Sequence, residues 1–364
     1  MRTLGPNKLS LGLFGSNCSG GLACSTFPDR WEASWDNVLA LARMADDAGL
    51  DFMLPLGRWI GYGGATNHNG SNFETLTWAT GLLASTRRIN VFGTVHVTAF
   101  NPVVAAKQMV TADHVGRGRF GLNIVCGWYQ KEFDMLGVDL GGHDRRYDLG
   151  QEWVDIVTRA WSSGRPFDYA GEFYSVKGTL LEPKPFNRER PILVSAGMSG
   201  TGRGFALRNA DMLFTVMHSF ERLPDEVAAL KRDAAALGRR DIGVFTNVAV
   251  VCRPTEKEAK EYHHFYAVER ADQGAVETMV VERGMDKLDV PEAVKRNFRL
   301  RAASGNGAYP IVGDPDQVAD VMRRMSEAGV GALAMGLPNY LKELPFLQAE
   351  LLPRLERQGL RVPA

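Results

Sequence analysis

Short β-type runs alternate with longer helical patterns along almost the whole chain. That alternation admits few folds, because strand, helix and strand in succession pack as a parallel sheet with helices outside it. The β-type runs fall at 8–14, 51–56, 88–97, 119–125, 191–196, 211–215, 241–251 and 331–336. Helical patterns fall at 34–48, 72–85, from Pro102 onward, and at 145–161, 199–209, 224–237, 314–328 and 341–357. In the first of these Val38, Leu39, Ala42 and Ala45 share a face and Gly49 is the stop. Pro102 opens its helix at a position where proline is tolerated. Tandem aromatics between glycines in 163–185 read as a surface hairpin, and 255–301 as a long helical and polar region. Eight strands with intervening helices in 364 residues predict a single-domain (β/α)8 TIM barrel with insertions, spanning 1–364. A doubly wound open sheet is the rival, but the first turn, Ser16-Asn17-Cys18-Ser19-Gly20-Gly21, lacks G-x-G-x-x-G.

Composition narrows the partners. Formal net charge is zero, and no block of like charges stands out, so neither nucleic acid nor an anionic membrane surface is expected. No apolar run has the length of a membrane span, and the N-terminus carries no secretory pattern, so a cytoplasmic protein is expected. The four cysteines lack C-x-x-C spacing and the seven histidines form no H-E-x-x-H, which predicts neither a disulfide framework nor a metal site.

A barrel puts its chemistry on the loops after the carboxyl ends of its strands. The outstanding residue there is Asn123, a carboxamide inside the apolar run Arg119-Phe120-Gly121-Leu122-Asn123-Ile124-Val125. A buried amide needs partners, and it is either a satisfied core group or a ligand contact. Ser199 and Gly200 open a helix, where free backbone N–H groups suit a phosphate, although serine is also an ordinary N-cap. Arg145-Arg146-Tyr147 places two basic residues at the positive end of another helix, which is unfavourable unless an anion is near. Arg58 sits among glycines and aromatics, as a ligand contact or a rim salt bridge, and His96 and His218 are candidate acid/base groups. Such a rim suits a phosphorylated aromatic cofactor such as FMN.

At these residues the chain resembles the bacterial-luciferase-like flavin monooxygenases, and within them the branch of dimethyl sulfone and pyrimidine monooxygenases. The matching motifs are Asn17-Cys18-Ser19-Gly20-Gly21-Leu22, Gly61-Tyr62-Gly63, Gly118 to Val125 with Gly127-Trp128, Glu132-Phe133, His143-Asp144-x-Arg146-Tyr147, Ala196-Gly197-x-Ser199 and Ile311-Val312-Gly313-Asp314-Pro315. The resemblance implies reduced FMN supplied by a separate NAD(P)H:flavin reductase, O2 as cosubstrate, and a homodimer or homotetramer. Carried over, Gly57, Arg58, Asn123, Glu132, Arg146, Tyr147, Ser199 and Gly200 match the FMN-binding positions, with Tyr147 and Ser199 at the phosphate. Leu54, Thr94 and Asn123 match the positions around dioxygen, and with Arg58 they form the expected catalytic set. Gly57 and Trp59 alter the neighbourhood of Arg58, and Cys126 replaces a small hydroxyl residue common there, changes that would reshape the substrate pocket.

The substrate implied is a small sulfone or sulfonate, cleaved at C–S, or a pyrimidine-like ring. The segment from about 270 to 310 resembles the mobile insertion that closes over the site. Two other readings compete: a deazaflavin-dependent hydride-transfer oxidoreductase, which needs no oxygen pocket, and a flavin-binding protein without turnover.

Overall fold

The computed structural model describes residues 4–197, 200–217 and 219–363. Its strands are β1 (Ser10–Phe14), β2 (Phe52–Leu54), β3 (Asn90–His96), β4 (Phe120–Val125), β5 (Phe167–Ala170), β6 (Ser175–Thr179), β7 (Ile192–Ser195), β8 (Met212–Thr215), β9 (Gly243–Cys252), β10 (Tyr309–Gly313) and β11 (Ala332–Gly336). Eight of them close a parallel ring in the order β1-β2-β3-β4-β7-β8-β9-β11, because β9 pairs with both β8 and β11 and β11 returns to β1. The expected barrel is therefore present, with helices around it. The antiparallel β5–β6 pair is the expected hairpin and stands outside the ring.

Side chains alternate along each strand. On β3 and β4, Val91, Val95, Leu122 and Ile124 face outward into the core shared with Leu76, Ala105, Met109 and Trp153 of the surrounding helices. The opposite faces fill the barrel, where Phe14, Phe52, Phe92, Phe214 and Phe245 form one cluster. Ring centroids lie 4.7 Å apart for Phe214 and Phe245, and 5.5 Å for Phe52 and Phe245, both edge-to-face. Edge-to-face packing aligns positive ring edges with negative faces. This aromatic plug is the floor on which any site at the strand ends must rest.

Local signals set the helix ends. Asn101 accepts N–H bonds from Val103 and Val104, leaving Pro102 at the first turn of Pro102–Val115. Gly49, at φ 67°, ends the first helix, Trp35–Asp47. Asp314 and Gln317 form a reciprocal capping box before Pro315–Glu327.

Two parts differ from expectation. The 255–301 region is not one run but several helices, chiefly Glu256–His264, Gln273–Glu282 and Glu292–Gly305, broken where Asp272 caps and where Pro291 intervenes. A ninth parallel strand, β10, adds to the far half of β9. Pro310 weakens its strand signal in the sequence, and proline is accepted there because β10 is a sheet edge. In the 270–310 segment, Ala275, Val276, Met279, Ala302 and Ala303 pack on Cys24, Tyr62 and Tyr129, and Arg301 Nη2 donates to the Met217 carbonyl (2.7 Å).

Truncating the plug tests this floor. Phe245→Ala should cost about 3–5 kcal/mol in denaturant unfolding; a loss below about 1 kcal/mol would mean that the ring is not close-packed.

Candidate active site

Asn123 lies on the inner face of β4, in register with Thr94 on one side and Val194 on the other. Thr94 Oγ1 is 2.7 Å from the Pro55 carbonyl and 3.3 Å from Asn123 Nδ2. A carbonyl only accepts, so the single hydroxyl proton goes to Pro55 and the Thr94 oxygen accepts from Asn123. Thr75 in turn donates to the Thr94 carbonyl (2.6 Å). Asn123 Oδ1 is left buried with no partner, a condition that costs about 1–3 kcal/mol unless something fills it. The structure thus brings Thr94 and Asn123 together as expected. Leu54 lies below them among the aromatic floor residues. Gly57 passes so close to β3 that an added Cβ would stand 2.9 Å from both Thr94 Cγ2 and His96 Cε1. Asn17, from the first loop, holds this turn by donating to the Leu56 carbonyl (2.9 Å) and accepting from its N–H (2.8 Å).

Arg58 forms the salt bridge that the sequence left open, but a buried one. Its guanidinium and the Glu132 carboxylate are buried 2.9 Å apart, with side chains 4% and 1% exposed. Arg58 Nη1 also donates to the Tyr62 hydroxyl (2.9 Å), and its carbon lies 5.2, 5.1 and 5.2 Å from the ring centres of Tyr62, Trp128 and Tyr129. Glu132 Oε1 accepts the Trp59 N–H (2.8 Å), so both carboxylate oxygens are engaged inside the protein and Glu132 reaches the site through Arg58 and its loop. Burial raises the Glu132 pKa and the adjacent Arg58 opposes it. Two imidazoles flank this cage. Burial pushes both His68 and His96 down to about 3, with Arg58 adding to the effect, so both are neutral near pH 7 and His96 is no ordinary proton donor.

The other end of the rim is polar. The helix His143–Ser162 carries Arg146 and Tyr147 in its first turns, and Gly200–Asn209 starts beside it, joined by a Thr201–Asp144 hydrogen bond of 2.8 Å. The Tyr147 ring packs 5.7 Å from Phe205 of that second helix. Arg145 and Arg146 differ: Arg145 is answered by Glu172 of the hairpin at 2.8 Å, so its charge needs no ligand. Arg146 Nη1 donates to the Gly127 carbonyl (2.7 Å), while its Nε is a buried donor with no partner. At Gly197 an added Cβ would run into the Gly202 carbonyl, so only glycine allows this close approach to the helix. Ser199 and His218 lie outside the described residues.

The sequence profile of luciferase-like monooxygenases matches residues 14–332. The chain belongs to that family. Luciferase-like relatives similar to it include an FMNH(2)-dependent dimethylsulfone monooxygenase of Pseudomonas fluorescens (strain Pf0-1), 29% identical over 93% of this chain and 92% of the relative. Pyrimidine monooxygenase RutA of Enterobacter sp. (strain 638) is 27% identical over 98% of each. Among solved structures, riboflavin lyase (RcaE) with modified FMN and riboflavin superposes with a TM-score of 0.86 at 22% identity, covering 98% of this chain and 93% of that one. The luciferase-like barrel is thus the fold of this chain.

Sequence reasoning missed Asn247. It stands on the inner face of β9 between Phe245 and Ala249, 6% exposed, with Oδ1 buried and unpartnered. The signal was the same one that marked Asn123, a carboxamide inside an apolar strand.

Two outcomes follow from these geometries. Glu132→Ala should destabilise by about 3–5 kcal/mol by stranding a buried cation, whereas Arg58→Met with Glu132→Leu should recover much of that loss; additive costs in denaturant unfolding would show that the pair is not coupled. His68 and His96 take up protons only on unfolding between about 3 and their ordinary 6.5. The unfolded chain then binds more protons, so stability falls as pH falls through that window. Melting temperature should drop from pH 7 to pH 5, and less steeply in His96→Gln; an unchanged slope would mean that this imidazole already carries its proton when folded.

Proposed function

We propose that this luciferase-like protein is a two-component monooxygenase, taking reduced FMN from a separate flavin reductase and using O2 to oxygenate a small molecule. The observation that carries the reading is a pair of orphaned buried atoms on one rim: an acceptor, Asn123 Oδ1, over the barrel, and a donor, Arg146 Nε, beside a helix start. FMN has complementary ends, a hydrogen-bonding ring and a phosphate, so the residues present fit it. Arg146, Tyr147, Ser199 and Gly200 would hold the phosphate, with the helix start adding its positive end. Gly57, Arg58 and Asn123 would hold the ring, with Glu132 positioning Arg58.

Reduced FMN, when bound, supplies the two electrons that activate O2; one oxygen atom enters the substrate and the other leaves as water. Thr94, Asn123 and Leu54 border the place where O2 would sit, a polar pair above an apolar floor. Under this proposal the buried rings of Tyr62 and Tyr129 help to keep water from it, which limits wasteful oxidation. In this reading the 270–310 segment closes over the site, and the protein works as a cytoplasmic homodimer or homotetramer. Relatives named for dimethylsulfone and for pyrimidine support two substrate classes, small sulfones or sulfonates and pyrimidine-like rings.

The test is a substrate screen under ¹⁸O₂ with FMN, NADH and a flavin reductase. One labelled oxygen per product molecule is expected. Oxygen-independent turnover with a reduced deazaflavin, or flavin binding with no product from either class, would overturn the reading.

A further inference from the structure

The neighbours of Asn123 fix which way its carboxamide faces. Thr94 has one hydroxyl proton, and the Pro55 carbonyl at 2.7 Å takes it. Pro55 is the residue after β2, so that carbonyl belongs to the rim itself. The Thr94 oxygen then accepts only, and Asn123 must turn its NH2 toward it, at 3.3 Å. Thr94 is itself anchored, since its carbonyl accepts the Thr75 hydroxyl at 2.6 Å. Three hydrogen bonds in series therefore fix the carboxamide with its oxygen free. That oxygen is buried without a partner, on a residue 9% exposed.

We infer that Asn123 discriminates the redox state of the cofactor, presenting a fixed acceptor that favours reduced over oxidised flavin. The inference rests on the reading that FMN binds at this rim. The chemistry is one of proton inventory: the central ring nitrogen N5 carries N–H in the reduced ring and only a lone pair in the oxidised ring. An acceptor facing the first gains a hydrogen bond. Facing the second it sets two lone pairs together in a dry site, where an unmet polar atom is costly. A carboxamide free to turn would offer either edge and discriminate little; the Thr94–Pro55 bond removes that freedom. Thr94 is thus a positioning residue acting through Asn123. The consequence for a chain that must accept reduced flavin and release the oxidised form is a built-in direction of exchange.

The test measures affinity rather than turnover. Dissociation constants for FMN, photoreduced under argon and oxidised in air, are determined on the full chain by fluorescence, together with the midpoint potential of bound FMN. The wild type should bind the reduced form about tenfold or more tightly, raising the bound potential by about 30 mV per tenfold for this two-electron couple. Asn123→Leu should bring the two affinities together, Thr94→Val should narrow the gap by freeing the carboxamide, and Thr94→Ser should keep it. A purely structural role would weaken both forms alike and leave the ratio intact. A wild-type ratio in Thr94→Val or in Asn123→Leu overturns the inference, as does equal affinity in the wild type; should Asn123→Leu fail to fold, the Thr94 pair decides. Wild-type protein that binds neither form overturns the functional reading instead.

Discussion

The buried ion pair of Arg58 and Glu132 is the constraint on which the mouth of this barrel depends. Two charges out of water are tolerable only when each finds its full set of partners. Glu132 spends both oxygens, on Arg58 and on the Trp59 N–H. Arg58 answers with the Tyr62 hydroxyl and three aromatic faces. The pair thereby joins the turn after β2 to the short helix Gln130–Leu136 that follows β4. Two of the aromatic residues that sheathe the cation, Tyr62 and Tyr129, are also the surface on which the helices of the 270–310 segment pack. A change at the pair is therefore felt in the loop that brings Gly57 against Thr94 and in the stacked rings of Tyr62, Tyr129 and Trp128.

Beneath that mouth the inward positions divide between two kinds of group. Five phenylalanines form an apolar cluster that fills the barrel. Thr94, Asn123 and Asn247 are buried polar groups with hydrogen-bonding capacity to spare or to direct. Along the rim, the paired starts of His143–Ser162 and Gly200–Asn209 concentrate donors around Arg146. A cofactor with an anionic tail and a flat ring matches this arrangement in charge and in polarity.

Some signals were legible and some misled. The amide in an apolar strand marked Asn123 correctly as a residue with unspent capacity. The same signal at Asn247 of β9 went unread. The double arginine at 145–146 looked like one anion site, yet the hairpin supplies Glu172 for one of the two. Arg58 among glycines left a ligand contact and a salt bridge both open, and its burial unread, because its partner lies 74 positions away in sequence. Pro310 hid β10, since the penalty for proline in a strand vanishes at an edge, and edges are assigned only when the sheet is assembled.

By itself the sequence determined the eight strands of the ring and most of the helices around it, the closure into a barrel with inward and outward faces, and several of the places where helices begin and end. These rest on periodicity and on capping chemistry, which act between residues a few positions apart. Only the tertiary structure decided which polar groups are satisfied. Whether Arg146 keeps a free donor, whether Arg58 is buried, and which edge of the Asn123 carboxamide faces the barrel all depend on partners brought from distant segments. A hydrogen bond is a property of a pair in space, and the chain alone names only one member of each.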